Sequence, residues 1–430
     1  MKTLPNKPLK GFYDWFPEEF KIRKKIFDIW RNVCLKFGYE EYLTPTIEIS
    51  KLYKEKSGDE VGEKELYSFF DKAGRELALR PEMTPGLARM ISRRYNTLPK
   101  PIRYFSIANF FRNQKPQRGR NREFWQLNYD ILGSNSYLAD VEVLHIAFEI
   151  MFKLGAPKNS FKAYINNRKL LNSIVLDLAN INKSLLLPVL RLLDKYSKLS
   201  QDIFIEKLVD LGIKNSSIDT LLNFMHLNNI ESLINTFPQI EASSGFIYTN
   251  KIIKTLKELG FGDYLVFTPN IVRGFDYYDG LIFEFFDLSK KNNRSLFGGG
   301  RYNNLGKLFG VSDMPAVGCA PGDEPLRLFI DSWDLFDKFN KPTFKKIYAP
   351  LLDLNLLSEY QKLVSNLRNK GYFVEVSLDK QSLVSALRIA NKRKFNYLLI
   401  FGSLEHKRKV YKIKDLFTGK EQEHSISMQK

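Results

Sequence analysis

The chain has 430 residues, 44% of them apolar, which exceeds the ~250–300 residues at which a single core stops growing, so two or three domains are expected. No run of about 18 uncharged apolar residues occurs, and MKTLPNKPLKGFYDWFPEEF is neither a signal peptide nor an Arg/Ser-rich transit segment, which argues against membrane insertion or export and for a cytoplasmic protein. The formal charge is +18, and residues 341–430 hold 18 Lys+Arg against 8 Asp+Glu, a net +10 in the last fifth of the chain. Drift toward Lys and Asn would spread more evenly; the concentration favours a polyanionic partner, nucleic acid first. Cys34 and Cys319 are far apart in apolar contexts and the four histidines are scattered, so no metal site and no disulfide framework are expected.

In chain order, residues 17–37 put Ile26, Trp30, Val33, Cys34 and Phe37 on one helical face, with Gly38 as the stop. RYFSIANFF (103–111) and FWQLNYDIL (124–132) read as antiparallel strands joined by the exposed basic loop KPQRGRNRE. Residues 137–155 read as a helix ending at Gly155, and about 165–262 as a Leu/Ile-rich helical insertion. LIFEFF (281–286) returns to the sheet. After 336–345, strands alternate with helices, which predicts a small α/β domain with a mostly parallel sheet.

In FWQLNYDIL, alternation puts Gln126, Asn128 and Asp130 on one face and Trp125, Leu127, Tyr129 and Ile131 on the other. Alone this is a half-solvated strand; the preceding strand, ending in Arg112, sets a cation beside the polar face. Arg112 to Arg122 carries five basic residues and no acid, a solvated loop or an arginine phosphate clamp, because neither a Walker motif nor a GxGxxG turn is present. LRPEMTP (79–85) sets Glu82 and Thr84 on one face if extended, suited to an ammonium group. VRGFDYYDG (272–280) and FGGGRYNNLG (297–306) place arginines among apolar stretches, where each needs a protein carboxylate or an anionic ligand.

These motifs, in this order, resemble the histidyl-tRNA synthetase family of class II aminoacyl-tRNA synthetases over nearly the whole chain. GFYDWFPEE (11–19) is similar to the family's opening, YLTPTIEIS (42–50) to motif 1 with Pro45 at a homodimer interface, and FFRNQKPQRGRNREFWQL to motif 2; VRGFDYY and FGGGRYNNLG resemble the two histidine-specific signatures. The resemblance implies an α+β fold: a class II antiparallel sheet flanked by helices, a helical insertion and a C-terminal α/β anticodon-binding domain. The implied domains are 1–164 and 263–335 for the core, 165–262 for the insertion and 345–430 for the anticodon-binding part. It implies histidine, ATP with Mg2+, and tRNA(His) as partners. Arg273 and Arg112 would flank the α-phosphate as catalytic residues; Glu82, Thr84 and Gln126 would grip the amino group; Asp130 with Tyr278 would read the imidazole, and Tyr277 would also bind substrate. Arg112, Gln114, Arg120 and Phe124 would hold ATP, and the backbone of Gly298, Gly299 and Gly300 would pack against ligand.

Three departures stand out. Pro325 in PAVGCAPGDEPLRL takes the place of the motif 3 arginine that contacts the γ-phosphate, and Arg327, roughly 200° further round a helix, is a poor substitute. Arg120 is therefore expected to carry more of the triphosphate charge. Gln114 stands for the usual glutamate beside the adenine, and Asp130 for a longer glutamate beside the imidazole. A non-catalytic relative, such as the regulatory subunit serving ATP phosphoribosyltransferase, fits Pro325 but not the basic C-terminal domain; a tRNA-binding sensor would need a partner domain.

Overall fold

The computed structural model describes residues 4–54, 64–272, 278–292, 294–339 and 345–426. The chain divides into two compact units, Met1–Phe339 and Asn340–Lys430.

The first unit opens with α1 (Pro17–Lys36). Proline suits the first helical position, since its missing N–H has no partner there in any case, and the Glu19 carboxylate accepts from the Phe16 amide at 3.2 Å. Ile26, Trp30, Val33 and Cys34 are buried along one face; Phe37 is only half-buried, and Gly38, at φ 77°, turns the chain. Then come β1 (Glu40–Glu41), β2 (Ile47–Ile49), β3 (Ser68–Phe70), β4 (Glu76–Leu79) and α2 (Thr84–Ser92). Hence Glu82 and Thr84 do not share an extended face, as the sequence suggested, because the chain turns helical at Thr84.

β5 (Ile102–Phe111) and β6 (Glu123–Leu132) pair antiparallel along their whole length, from Ile102↔Leu132 to Phe111↔Glu123. α3 (Tyr137–Lys153) follows, its start capped by Ser136. β7 (Phe161–Asn167) extends into the segment expected to be helical, since Ile165 and Asn166 still pair with β9 (Leu281–Asp287). Helices then occupy Arg168–Leu256 with their own core, including Leu171, Ile174, Phe204 and Leu221. β8 (Leu265–Phe267) precedes β9; β10 (Ser295–Arg301), β11 (Ala316–Cys319) and α4 (Asp323–Ser332) complete the unit. Among the described residues eight strands make one sheet, ordered β1-β5-β6-β11-β10-β9-β7-β8. Its central pairings are antiparallel, while β1 with β5 and β7 with β8 run parallel, so the sheet is mixed. α1 and α3 cover one face, where Phe105, Leu127, Tyr129, Ile131, Phe283 and Phe285 pack. The other face of the central strands lines the cavity described below.

The second unit holds β12 (Lys346–Leu351), α5 (Leu357–Asn369), β13 (Phe373–Lys380), α6 (Leu383–Lys392), β14 (Tyr397–Ile400), β15 (Val410–Asp415) and β16 (Glu421–Ser425). The expected mostly parallel sheet is corrected: β13-β12-β14 are parallel, but β15 and β16 add an antiparallel hairpin turning at Gly419, φ 74°. VYKIKD and EQEHS are too polar to read as strands; they pair at the sheet edge, where one side meets water.

Candidate active site

A cavity of about 960 Å³ opens on the sheet face opposite α1. Alternation along β6 builds its floor: Phe124, Gln126, Asn128 and Asp130 line it, while Leu127, Tyr129 and Ile131 point into the core. The polar face that could have been half-solvated is largely closed, with Asn128 and Asp130 each 4% exposed.

Asp130 is pushed from its ordinary titration there. Its Oδ1 accepts from the Tyr302 hydroxyl at 2.5 Å, yet burial pushes its carboxyl up to about 7. β11 runs directly beside it, Gly318 opposite Asp130, and any Cβ at Gly318 would collide with the Asp130 carboxylate. Asn128 brings a buried Oδ1 with no hydrogen-bond partner among the described residues. Gln126 donates Nε2 to the Ala320 carbonyl at 3.1 Å, which leaves its Oε1 for a ligand.

The other wall comes from the motif 2 hairpin. Arg112 donates Nε to the Pro81 carbonyl at 3.0 Å and lies 5.1 Å from the centroid of the Phe124 ring, so its guanidinium is braced on both sides. Gln114 donates Nε2 to the Asn121 carbonyl at 2.7 Å, which fixes the amide with its oxygen as acceptor. Glu82, Thr84, Arg120, Tyr278 and Gly298 also line the cavity. Gly299 and Gly300 are not among its lining residues. Gly299 turns to the opposite face, where a Cβ would sit 2.7 Å from Phe283; Gly300 lies too close to the Leu281 carbonyl and the Tyr278 ring to carry a side chain. Close packing against neighbouring backbone and rings alone requires glycine at both positions.

Arg301 has a protein partner. It is buried, its Nε donating to both Asp140 oxygens at 3.1 Å and its Nη1 to the Ser134 carbonyl at 2.8 Å. The second arginine of the paired motifs is thus structural, tying β10 to α3. Arg273 and Tyr277 fall outside the described residues.

Two family models match this chain. The one described as histidyl-tRNA synthetase covers residues 11–324, and the one described as anticodon binding domain covers 345–429. The chain belongs to the histidyl-tRNA synthetase family. It is 38% identical over 415 residues to a histidine–tRNA ligase of Leptospira biflexa, with 96% of this chain and 94% of the relative covered. To a histidine–tRNA ligase of Pyrococcus horikoshii it is 32% identical over 97% of this chain and 96% of that one. Among solved structures, a histidyl-tRNA synthetase from Nostoc shares the fold with a TM-score of 0.80 at 23% identity, covering 98% of this chain and 97% of that one. A protein titled ATP phosphoribosyltransferase regulatory subunit/histidyl-tRNA synthetase from Bacillus halodurans does so at 0.74 and 22%, covering 91% and 97%.

Within this family member several cavity residues carried no readable signal. Tyr302 and Gly318 fall within quoted motifs and line the cavity, but their closing on Asp130, 172 residues away in chain for Tyr302, is a contact that no local pattern shows. Tyr164 and Glu284 reach the cavity from β7 and β9, and Asp194, Ser197 and Lys198 from the helical segment, whose composition reads only as helix. Arg327 does not reach the cavity: it forms a two-toothed pair with Glu324 at 2.8 and 3.0 Å. Pro325 lines the cavity in its stead.

Proposed function

We infer that this chain is a histidine–tRNA ligase. It activates histidine with ATP, the histidine carboxylate attacking the α-phosphorus and displacing pyrophosphate, and then passes the histidyl group to the terminal ribose hydroxyl of tRNA(His) with release of AMP. The observation that carries the reading is the convergence of Glu82, Arg112, Gln126, Asp130 and Tyr278 on one cavity from segments up to 196 positions apart, in a chain of this family.

Each group has a chemical task in that cavity. Glu82 and the Gln126 amide oxygen suit an ammonium group. Asp130, poised near neutrality, suits an imidazole, since it can accept from a ring N–H or donate to a ring nitrogen. Arg112, braced from two sides, presents planar donors to phosphate oxygens, and charge developing at phosphorus is best stabilised by donors already in place. Arg273 would face it, as the family resemblance implies. Phe124 and the Gln114 oxygen offer a ring and an acceptor for adenine and its amino group. Among the described residues no cluster of three carboxylate, histidine or cysteine side chains could hold a metal ion, so Mg2+ would enter with ATP, held chiefly by its phosphates.

The second unit's net +10 suits tRNA phosphates, and binding through them would weaken steeply with salt. Phe373 is half exposed on β13 and offers part of its ring to a base, whereas Phe395 and Tyr397 pack into that unit's cores. Leu43, Ile47 and Ile49 are exposed around Pro45, an apolar surface that suits a second copy of the chain. No described helix is long and apolar enough to cross a membrane, compatible with a cytoplasmic enzyme.

Histidine-dependent ATP–pyrophosphate exchange tests the reading. Exchange without tRNA is expected; histidine binding with no exchange would instead make the chain a non-catalytic histidine sensor.

A further inference from the structure

Beside the main cavity lies a second recess of about 340 Å³, which shares Gly119, Arg120, Ser295 and Pro325 with it. The two differ sharply in charge. Six carboxylates line the main cavity among the described residues: Glu65, Glu82, Asp130, Asp194, Glu284 and Glu324. None lines the recess, where Arg120 and Arg294 stand with the neutral Gln117 and Asn292.

Arg294 comes from the turn between β9 and β10, far in sequence from the motif 2 loop. It donates Nη1 to the Arg118 carbonyl, so its guanidinium is tied to the loop that carries Arg120. That loop is itself closed by paired backbone bonds between Gln117 and Arg120, at 2.8 and 3.1 Å. One carbonyl uses one of five guanidinium N–H groups, and the remainder can meet an anion. Pro325 contributes no charge to the same recess, and Arg327 is engaged by Glu324.

The geometry points to the recess as the subsite for the terminal phosphates of ATP, and for the pyrophosphate they become, with Arg294 as a phosphate-positioning residue acting beside Arg120. This rests on the ligase reading. A nucleotide whose α-phosphate lies at Arg112 has its polyphosphate end steered from the acid-lined cavity into an adjoining space that holds cations and, among the described residues, no carboxylate. Arg294 thereby supplies, from another strand connection, the charge that Pro325 does not.

The test is the Arg294→Gln variant in the exchange assay. Glutamine keeps a polar amide but removes the charge and the reach of the guanidinium. KM for ATP and KM for pyrophosphate should each rise about tenfold or more, the lower end of what losing a hydrogen bond from a charged group costs. KM for histidine and inhibition by AMP, which lacks those phosphates, should stay within about twofold, a change worth only a few tenths of a kcal/mol. Adding Pro325→Arg to Arg294→Gln should recover most of the ATP affinity by returning a guanidinium to the recess. Unchanged KM for ATP and pyrophosphate would overturn the assignment, as would parallel rises for ATP, AMP and histidine, which would make Arg294 a loop brace only. Absence of exchange in the unaltered protein would instead sink the ligase reading.

Discussion

Replacing Asp130 by asparagine should stabilise the protein, and increasingly so as pH rises. The wild-type carboxyl titrates near 7 in the fold against an ordinary 3.8, because burial opposes its charge more than the Tyr302 hydroxyl supports it. A raised carboxyl means that the native state holds a proton which the unfolded chain has released, so stability falls as pH climbs from about 4 to about 7 and the penalty is complete above that. Between pH 5 and pH 8 the wild type should lose about 3 kcal/mol through this group alone, at 1.36 kcal/mol per unit. Asparagine has the same shape, still accepts from Tyr302 and does not titrate. With an unfolding entropy of about 2.1 cal/mol/K per residue over roughly 340 residues, the gap in Tm between variant and wild type should widen by about 4 °C from pH 5 to pH 8. Scanning calorimetry on the transition of the first unit, without ligand, measures it. A gap that stays constant across that range would show that Asp130 is ionised and adequately solvated, and would remove the basis for its role as an imidazole reader near neutrality.

Other outcomes follow from the same geometry. Gly318→Ala must displace the Asp130 carboxylate, so KM for histidine should rise at least tenfold, a loss of about 1–3 kcal/mol for an unpaired buried group, while KM for ATP changes little; equal changes in both would point to general disorder of β11. Arg273→Lys should depress the exchange rate far more than it weakens histidine binding, since a point charge does not replace a planar fork; equal losses would deny it a transition-state role. Arg23→Ala should lower thermal stability markedly, by about 3–5 kcal/mol, because it leaves Asp323 buried with its cation gone, while Glu324 keeps Arg327; Arg23→Met with Asp323→Asn should recover part of it, and a single variant as stable as wild type would refute the account.

How far the sequence reached depended on whether the information was local. The period of 3.6 in residues 17–36 and the period of 2 in FWQLNYDIL fixed a helix, a strand and which of its faces is polar, because each follows from backbone geometry within a few residues. Motif order carried the family. What lay between distant segments did not show: Tyr302 and Gly318 closing on Asp130, Asp140 answering Arg301, and Arg294 meeting the motif 2 loop. At Gly299 and Gly300, GGG shows that side chains are unwelcome, and only the structure shows which neighbouring strands and rings exclude them. The sequence by itself determined the strongly periodic elements, the family and the residues bearing charge, but not polar edge strands such as β15 and β16. Only the tertiary structure decided which charges are paired, which are pushed from their ordinary titration, and where an anion can sit, because desolvation and pairing are set by neighbours through space rather than along the chain.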